Sequence, residues 1–247
     1  MNIGIYQSAA SLSALERWQD SVTQNIASSQ LPGYRAHATG FSAEAAGQFQ
    51  TGSSENQDGG QSPMFPQATS SVSFVPGEAQ RTDRELDVSI QGQGFFEVQN
   101  ADGTKAYTRD GEFQIQPDNT VTTSGGQKVM TEGGSPLTLI PSGGAVVINT
   151  DGSITQNGTS LGKLSIQTFA DTGQLSAGPN GTFVPAAGMA PIAVDKPNVL
   201  QGYLEGSNVS PTHEMVDLIT ISRAYESNQK MISTVDQEMQ KTLDALG

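Results

Sequence analysis

The most informative segment of the chain is Leu86-Asp87-Val88-Ser89-Ile90-Gln91-Gly92-Gln93-Gly94-Phe95-Phe96-Glu97-Val98. Leu86, Val88 and Ile90 alternate with polar residues, which predicts a strand with one buried face. Two glycines separate this strand from a second apolar run, and the Asp102-Gly103 pair that follows is typical of a hairpin turn. Strands this short, joined by turns this tight, indicate an antiparallel sheet.

The same pattern continues on both sides, through residues 81–207. Phe113 and Ile115 alternate before a turn at Pro117-Asp118-Asn119, and Asp-Gly and Asn-Gly turns recur downstream. Short apolar runs between the turns occur at residues 137–140, 146–148, 164–169, 183–184 and 192–194. This spacing predicts a central all-β domain of short, mostly antiparallel strands, arranged as a sandwich or an open barrel.

Residues 36–80 lack any hydrophobic period. Small and polar residues dominate, as in Thr51-Gly52-Ser53-Ser54-Glu55-Asn56-Gln57-Asp58-Gly59-Gly60. We expect a linker or extended segment here, with a strand beginning near Val72.

Both ends of the chain are predicted to be helical. Only Gly4, Gly33 and Gly247 of the 28 glycines lie outside residues 36–210. In residues 1–35, apolar side chains recur at steps of three or four and form an amphipathic stripe that ends before Pro32. The predicted packing residues of this stripe are Ile5, Leu12, Leu15, Val22 and Ile26.

The C-terminal stripe is longer. Ser210 and Pro211 suit the start of a helix, since Ser is a good N-cap and Pro fits the first helical position. A narrow stripe on a helix of this length is typical of a coiled-coil seam. The predicted packing residues are Met215, Leu218, Tyr225, Ile232, Val235, Met239 and Leu243.

The predicted fold class is therefore α+β, with paired N- and C-terminal long helices as a coiled-coil stem and a central all-β domain. The stem is discontinuous and comprises residues 1–35 and 208–247, residues 36–80 form the linker, and residues 81–207 form the β-domain. Ile221, Met231 and Trp18 lie off the two stripes, so we expect them to stay exposed in a monomer. In the alternative arrangement the C-terminal helix lies along its own β-domain.

Composition excludes several functional classes. The formal net charge is −13, which argues against nucleic-acid and anionic-lipid partners. The absence of cysteine rules out disulfides, thiolate zinc sites and a cysteine nucleophile. The sequence has no apolar run long enough for a membrane span, and residues 1–8 do not resemble a cleaved signal peptide.

The motifs that could carry chemistry are weak. Gly92-Gln93-Gly94 lacks the third glycine of a dinucleotide loop and precedes a strand, so it is interpreted as a tight turn. His37 and His213 belong to no metal-binding spacing. Asp residues fall mainly in turns, where they bind backbone amides, and no paired-carboxylate spacing favours a glycosidase. The sequence thus predicts no catalytic, cofactor or metal residues and no enzymatic activity.

Three segments carry a resemblance to the flagellar hook–basal-body rod protein family. The first is Asn25-Ile26-Ala27-Ser28-Ser29-Gln30-Leu31-Pro32-Gly33-Tyr34-Arg35, which departs from the family pattern at Ser28. The second is residues 86–98 with Tyr107-Thr108-Arg109-Asp110-Gly111-Glu112-Phe113, and the third runs from Gln201 to Asn208 and on to Arg223-Ala224-Tyr225-Glu226. The residues carrying the family motifs are Asn25, Ala27, Gly33, Tyr34, Gly92, Gly94, Phe95, Phe96, Gly202, Tyr203, Gly206, Asn208, Arg223 and Tyr225.

The resemblance implies a structural subunit of the rod. Its terminal helices would pack against those of neighbouring copies and of other rod proteins to form a hollow shaft, and it would leave the cytoplasm through the flagellar type III export apparatus. The length leaves no room for the extra domain of a hook protein, and residues 43–70 favour the proximal over the distal rod type. A secreted non-flagellar adhesin or binding module with coiled-coil ends is the alternative.

Overall fold

The computed structural model describes residues 3–45, 64–141 and 143–245. Its two helices are α1 (Ile3–Ala27) and α2 (Pro211–Asp244). The strands in chain order are β1 (His37–Ala45), β2 (Met64–Val72), β3 (Ala79–Arg81), β4 (Val88–Gln91), β5 (Phe95–Gln99), β6 (Lys105–Thr108), β7 (Phe113–Ile115), β8 (Val121–Thr123), β9 (Lys128–Val129), β10 (Val146–Ile148), β11 (Ser153–Gln156), β12 (Thr159–Lys163), β13 (Ile166–Thr168), β14 (Leu175–Ala177), β15 (Thr182–Pro185), β16 (Ile192–Ala193), β17 (Asn198–Gln201) and β18 (Tyr203–Glu205).

The described residues form two compact units. The helical unit takes its residues from Met1–Ala27, His37–Ser71 and Ser210–Gly247, and the β-unit from Ser28–Ala36 and Val72–Val209. Each unit is therefore assembled from segments that are distant in the sequence. Residues 46–63, which belong to the predicted linker 36–80, lie outside the described residues.

The helical unit contains α1, α2 and the paired strands β1 and β2. The helices run antiparallel, because Asn25 meets Glu214 at one end and Ser8 meets Met231 at the other. A small apolar cluster joins them, and its buried members are Leu15, Val22 and Ile221, with Trp18, Ile26, Leu218 and Ala224 packed around them.

The β-unit is built on β5. Within the described residues, a large antiparallel sheet has the order β14-β15-β6-β5-β9-β8-β7, and β13 joins it by pairing with β5 and β16. Consecutive residues of a strand point to opposite faces, so Phe95 and Phe96 enter different cores. Phe96 packs edge-on against Phe113 in the larger core, and Phe95 packs against Phe169 and Phe183 in the smaller one.

Smaller sheets complete the β-unit. Strands β10, β11 and β12 form a three-stranded antiparallel sheet, whose Val146, Ile148 and Ile154 belong to the larger core. Strand β17 pairs with β4, and β18 pairs with β3. The turns between strands use Asp side chains as predicted, since Asp102, Asp118 and Asp151 each accept a backbone N–H two residues ahead.

The predicted fold class is wrong in one respect. The two helical ends and the mostly β centre agree with it, but the helices do not form a long coiled-coil stem. A coiled coil requires each helix to bury a continuous seam against the other. Here α1 also packs on β1, where Trp18 lies edge-on to Phe41 with ring centroids 5.4 Å apart. The apolar stripe of α1 is thus divided between a helix and a pair of strands.

The described parts of residues 36–80 contain strands that hydrophobic periodicity did not indicate. Strands β1 and β2 lie within this range, and β3 begins at Ala79 and ends at Arg81. Small and polar residues can form strands when another element covers one face, and hydrophobic periodicity does not reveal such cases. Ala68 is buried in this pair, whereas the neighbouring Thr69 and Ser70 are exposed.

Candidate assembly surface

The predicted packing residues occupy three different environments. Leu15 and Val22 are buried between the helices. Leu12, Ile26, Leu218, Tyr225, Ile232 and Val235 are half-buried, and Met215 and Met239 are exposed. The side chains of Ile5 and Leu243 lie outside the described ones. The helix pair therefore brings the middle of the predicted set together and leaves some of its members facing outward.

The expectation that Ile221 and Trp18 remain exposed is wrong. Ile221 is only 1% exposed and sits at the centre of the cluster between the helices, and Trp18 is half-buried beside it. The face of α2 that meets α1 passes through Glu214, Leu218 and Ile221, so it shares Leu218 with the predicted seam but is rotated toward Ile221 and away from Met215. The sequence could not show this rotation, because two overlapping apolar stripes run along α2.

An apolar surface remains on the outer side of α2. Met215, Val216 and Ile219 are each more than half exposed at its start, and Met231 and Met239 are exposed farther along. Residues 215, 216 and 219 lie on one face at helical spacing. This surface, formed by Met215, Val216 and Ile219, is called the outer patch below.

Asn25 links the end of α1 to the start of α2. Its Nδ2 donates to the backbone carbonyl of His37 at 2.9 Å and to Oε1 of Glu214 at 3.1 Å, and its Oδ1 accepts from the His37 N–H at 2.8 Å. Burial raises the pKa of Glu214, and the hydrogen bond from Asn25 opposes this shift. Burial also lowers the pKa of His37. Asn25 of the first family motif thus fixes the backbone of His37, the first residue of β1, next to the end of α1.

A buried ionic cluster lies in the β-unit, and sequence reasoning did not single it out as a site. Glu205 contacts two guanidinium groups, with Oε1 2.6 Å from Arg35 Nη2 and Oε2 3.0 Å from Arg109 Nη1. All three side chains are at most 5% exposed. These three residues are called the Glu205 cluster. Charged side chains this deeply buried require partners, and a linear sequence does not indicate which residues will pair.

The Glu205 cluster is held by backbone groups from several segments. Arg35 donates to the carbonyl of Val75, and Arg109 donates to those of Ile90 and Gly92. The Gly77 N–H donates to Glu205 Oε1. Burial lowers the pKa of Arg109, and the carboxylate of Glu205 opposes the change. The cluster therefore joins residues that follow α1 to residues that precede α2 within the β-unit.

The glycines of the family motifs surround this cluster. Gly33 has φ +67°, and a Cβ there would collide with the backbone of Arg109 and Asp110. Gly92 and Gly94 also have positive φ and form the turn between β4 and β5. The Gly92 carbonyl faces Arg109 at 2.6 Å, so this turn holds a guanidinium group. The interpretation of Gly92-Gln93-Gly94 as a tight turn is consistent with this geometry.

The third motif closes the β-unit. The Gly202 N–H donates to the Asp87 carbonyl, and the Gly206 N–H donates to that of Glu78. Asn208 spans three segments, because its Nδ2 donates to the carbonyls of Ser73 and Val75 and its Oδ1 accepts from the Ala36 N–H. The remaining motif residues have other positions: Tyr34 is buried, Tyr203 lies half-buried in β18, and Ala27 and Arg223 are exposed on the helices.

The chemistry available to the described residues is limited. Across residues 3–45, 64–141 and 143–245, no three His, Asp or Glu side chains are grouped as metal ligands. Neither α1 nor α2 has an apolar stretch suited to crossing a bilayer. The arrangement therefore offers packing surfaces and structural ion pairs.

Comparison with known families gives two matches. Residues 200–245 match the model described as "Flagellar basal body rod FlgEFG protein C-terminal". Residues 89–156 match the model described as "Flagellar hook protein FlgE/F/G D1 domain". The first range covers β18 and α2, and the second covers the centre of the β-unit.

Relatives named FlgF match over nearly the whole chain, and a relative named FlgG matches over about two thirds of it. The flagellar basal-body rod protein FlgF of Caulobacter vibrioides is 30% identical over 248 residues, covering 100% of this chain and 99% of the relative. The FlgF protein of Salmonella typhimurium is 29% identical, with 96% and 95% covered. The rod protein FlgG of Agrobacterium fabrum is 37% identical but covers 65% of this chain and 64% of its own length.

Proposed function

The chain belongs to the flagellar basal-body rod protein family, and on that premise we propose that its α1–α2 pair carries the contacts through which subunits polymerise. It is a structural subunit of the basal-body rod. The predicted resemblance to the FlgF type is confirmed by relatives of that name matched over the full chain, with FlgG relatives second. The alternative of a non-flagellar adhesin is not supported, because the matched relatives are flagellar proteins.

The outer patch is the observation that carries this proposal. Met215, Val216 and Ile219 are more than half exposed on the side of α2 that faces away from α1. Burying apolar surface contributes about 25 cal/mol per Å². Contact with neighbouring subunits would cover these side chains, and the gain recurs at every step of a growing polymer. An interface that does not close on itself produces an open helical assembly such as a shaft.

The partners follow from this role. We infer that the chain contacts other copies of itself and other rod proteins, and that the flagellar type III export apparatus carries it out of the cytoplasm. The net charge of −13 argues against nucleic acid as a partner. The subunit acts by packing and needs no cofactor, so we assign it no enzymatic activity.

Export also bears on the stability of the helical unit. Among the described side chains, the apolar cluster between α1 and α2 has three buried members. Long helices with so little tertiary packing are marginal in water, because helix nucleation is costly. We propose that α1 and α2 fray in the free monomer and become ordered as neighbours cover them. A weakly folded helical unit would also unfold readily for passage through a narrow channel.

A paired substitution tests the role of the outer patch. A strain lacking this chain is complemented with the variant Met215→Ser/Ile219→Ser, and swimming and isolated basal bodies are scored. We expect no swimming and incomplete rods, with the circular dichroism spectrum of the purified variant unchanged. The matched control is Ile115→Ser/Val147→Ser, which alters two exposed apolar residues of the β-unit and should preserve motility. Full motility of the patch variant would refute the proposal.

A further inference from the structure

A groove with charged residues in its wall opens between α1 and the β1–β2 pair. Its volume is about 260 Å³, and it is lined by Arg17, Asp20, Thr39, Ala68, Thr69 and Ser70. Thr39 Oγ1 is buried and has no hydrogen-bond partner among the described residues. Arg17 and Asp20 are exposed at the mouth, and the described part of the chain supplies no ion pair to either. The groove therefore has charged and hydroxyl groups with unused bonding capacity.

The end of α2 has complementary groups. Because Ser8 meets Met231 and Asn25 meets Glu214, Ile3 at the start of α1 lies level with the region of Asp236. Helix α2 continues to Asp244 beyond this level. Lys241 and Asp244 are exposed there, and neither forms an ion pair within the described ranges. This segment, residues 237–244, is called the α2 extension.

We propose that the groove receives the α2 extension of a second copy of this chain, with Lys241 against Asp20 and Asp244 against Arg17. Both charge pairs are separated by three residues, so they lie on one face of their helices. In an antiparallel arrangement, residue numbers increase along one helix while they decrease along the facing helix. Lys241 can then face Asp20 while Asp244 faces Arg17, and both contacts are attractive in a single register. A parallel arrangement would place Lys241 against Arg17 and Asp244 against Asp20, and both contacts would be repulsive.

This contact cannot form within one copy. In its own chain, Asp20 lies opposite the part of α2 near Ile219, given the positions of the two end contacts. Lys241 is farther along the same helix by about 33 Å, at 1.5 Å per residue. When each copy inserts its extension into the groove of the next, every molecule added leaves one groove and one extension free, which gives an open-ended chain of contacts.

Electrostatic matching here would set the register between subunits. Exposed ion pairs add little affinity, but complementary charges select one alignment over others. The inference rests on the proposed assembly through α1 and α2 and adds to it a specific partner surface. The outer patch lies at the opposite end of α2, so the two surfaces can be tested separately.

Disulfide trapping tests the contact directly, because the chain has no cysteine of its own. Full-length Asp20→Cys and Lys241→Cys chains are purified, mixed and oxidised, and the fraction of mixed dimer is measured. The control mixture contains Gln19→Cys and Lys241→Cys, since Gln19 is exposed and points about 160° around α1 from Arg17. We expect roughly tenfold more dimer than in the control, because a disulfide requires Cα atoms within about 7 Å. Equal yields overturn the inference.

Charge reversal in cells provides the second arm. Asp20→Lys and Lys241→Asp should each reduce swimming, and the double variant should restore it, because the pair is then reversed. Gln19→Lys is the control for adding charge to α1 and should swim normally. If motility requires the outer patch but trapping fails and both single variants swim, only this contact is wrong. If the chain is dispensable for motility while the dimer still forms, the proposed function fails and the contact stands.

Discussion

Glu205 shows how one side chain can join distant parts of a fold. Its two carboxylate oxygens bind Arg35 and Arg109, and its backbone carbonyl accepts the N–H of Gly33. A single carboxylate thus faces two buried guanidinium groups. Removing its negative charge would leave both positive charges buried without a counter-charge. Buried ion pairs of this kind add little net stability, but removing one partner is costly.

Replacing Glu205 by Gln should therefore destabilise the β-unit strongly. Gln keeps the size and the acceptor oxygen but leaves two guanidinium groups without a counter-charge, and we expect a loss of about 3 to 5 kcal/mol in the free energy of unfolding. Urea titration, monitored by far-ultraviolet circular dichroism, measures this loss of stability. The control is Asp83→Asn, which removes the exposed partner of Arg81 and should leave the unfolding midpoint nearly unchanged. A similar midpoint for both variants would contradict the role assigned to the cluster.

Asp110 is a second buried carboxyl, and burial disfavours its charged form more than its hydrogen bonds favour it. Burial raises its pKa above the ordinary 3.8, and hydrogen bonds from Ser124 and from the Glu112 N–H oppose the shift. The folded state therefore holds its proton more tightly than the unfolded state does. Its ionisation costs stability, and that cost appears as the pH rises from the ordinary pKa through the raised one.

The variant Asp110→Asn should flatten the pH dependence of stability in that window. Asn cannot ionise, so the free energy of unfolding of the wild-type chain should fall relative to the variant as the pH rises above 3.8. Urea titrations at several pH values between 3.5 and 7 measure this difference. Parallel curves for the two proteins would show that Asp110 ionises equally easily in both states.

At the scale of elements, α2 has two apolar faces with separate roles. One face, through Leu218 and Ile221, covers α1, and the other face carries the outer patch. Residues on the first face stabilise the monomer, whereas those on the second have no apolar cover in it. The same helix therefore serves folding on one side and assembly on the other.

Alanine substitutions on the two faces of α2 should have different effects. Ile221→Ala should destabilise the helical unit by about 2 to 5 kcal/mol, because it removes a buried side chain from a small cluster. Met215→Ala should change the monomer by less than about 0.5 kcal/mol, as is usual for exposed positions, yet reduce motility. Thermal unfolding followed at the helical circular dichroism band measures the first effect, and swimming assays the second. Equal destabilisation by both would remove the distinction between the faces.

At the scale of the whole molecule, the two units differ greatly in the apolar core that supports them. In the part of the chain that the structure describes, the larger core of the β-unit has fourteen buried members, from Val88 to Val199, and a second core of five aromatic and aliphatic residues lies across β5. The cluster of the helical unit has three among the same described residues. Stability follows buried apolar area, so the units should open at different free energies.

Hydrogen exchange on dilute monomer should resolve this difference. Amides of α1 and α2 should exchange much faster than those of β5, β6 and β8, because the helices open without unfolding the β-unit. Mass spectrometry of peptides from each unit measures the rates, and the polymerised protein is the matched comparison, in which the helices should become protected. Full protection of residues 5–26 in the monomer would contradict the proposed fraying.

Much of this architecture followed from the sequence. The alternation at Leu86, Val88 and Ile90, the Asp turns and the glycine-poor ends each reflect local backbone preferences, which act over a few residues and can be read in order along the chain. The helical ends, the β centre and the family motifs were predicted on this basis. The strands β1 and β2 were missed, because their residues have weak preferences and depend on α1 for cover.

The three-dimensional pairing was decided only by tertiary structure. Nothing near Arg35 in the sequence indicates Glu205, and the choice of Ile221 over Met215 as the buried face of α2 depends on how α1 divides its own apolar residues between α2 and β1. Contacts between residues far apart in the chain depend on the shapes of both surfaces at once. A one-dimensional pattern records that a residue can be buried, whereas its partner is fixed only when the whole chain has packed.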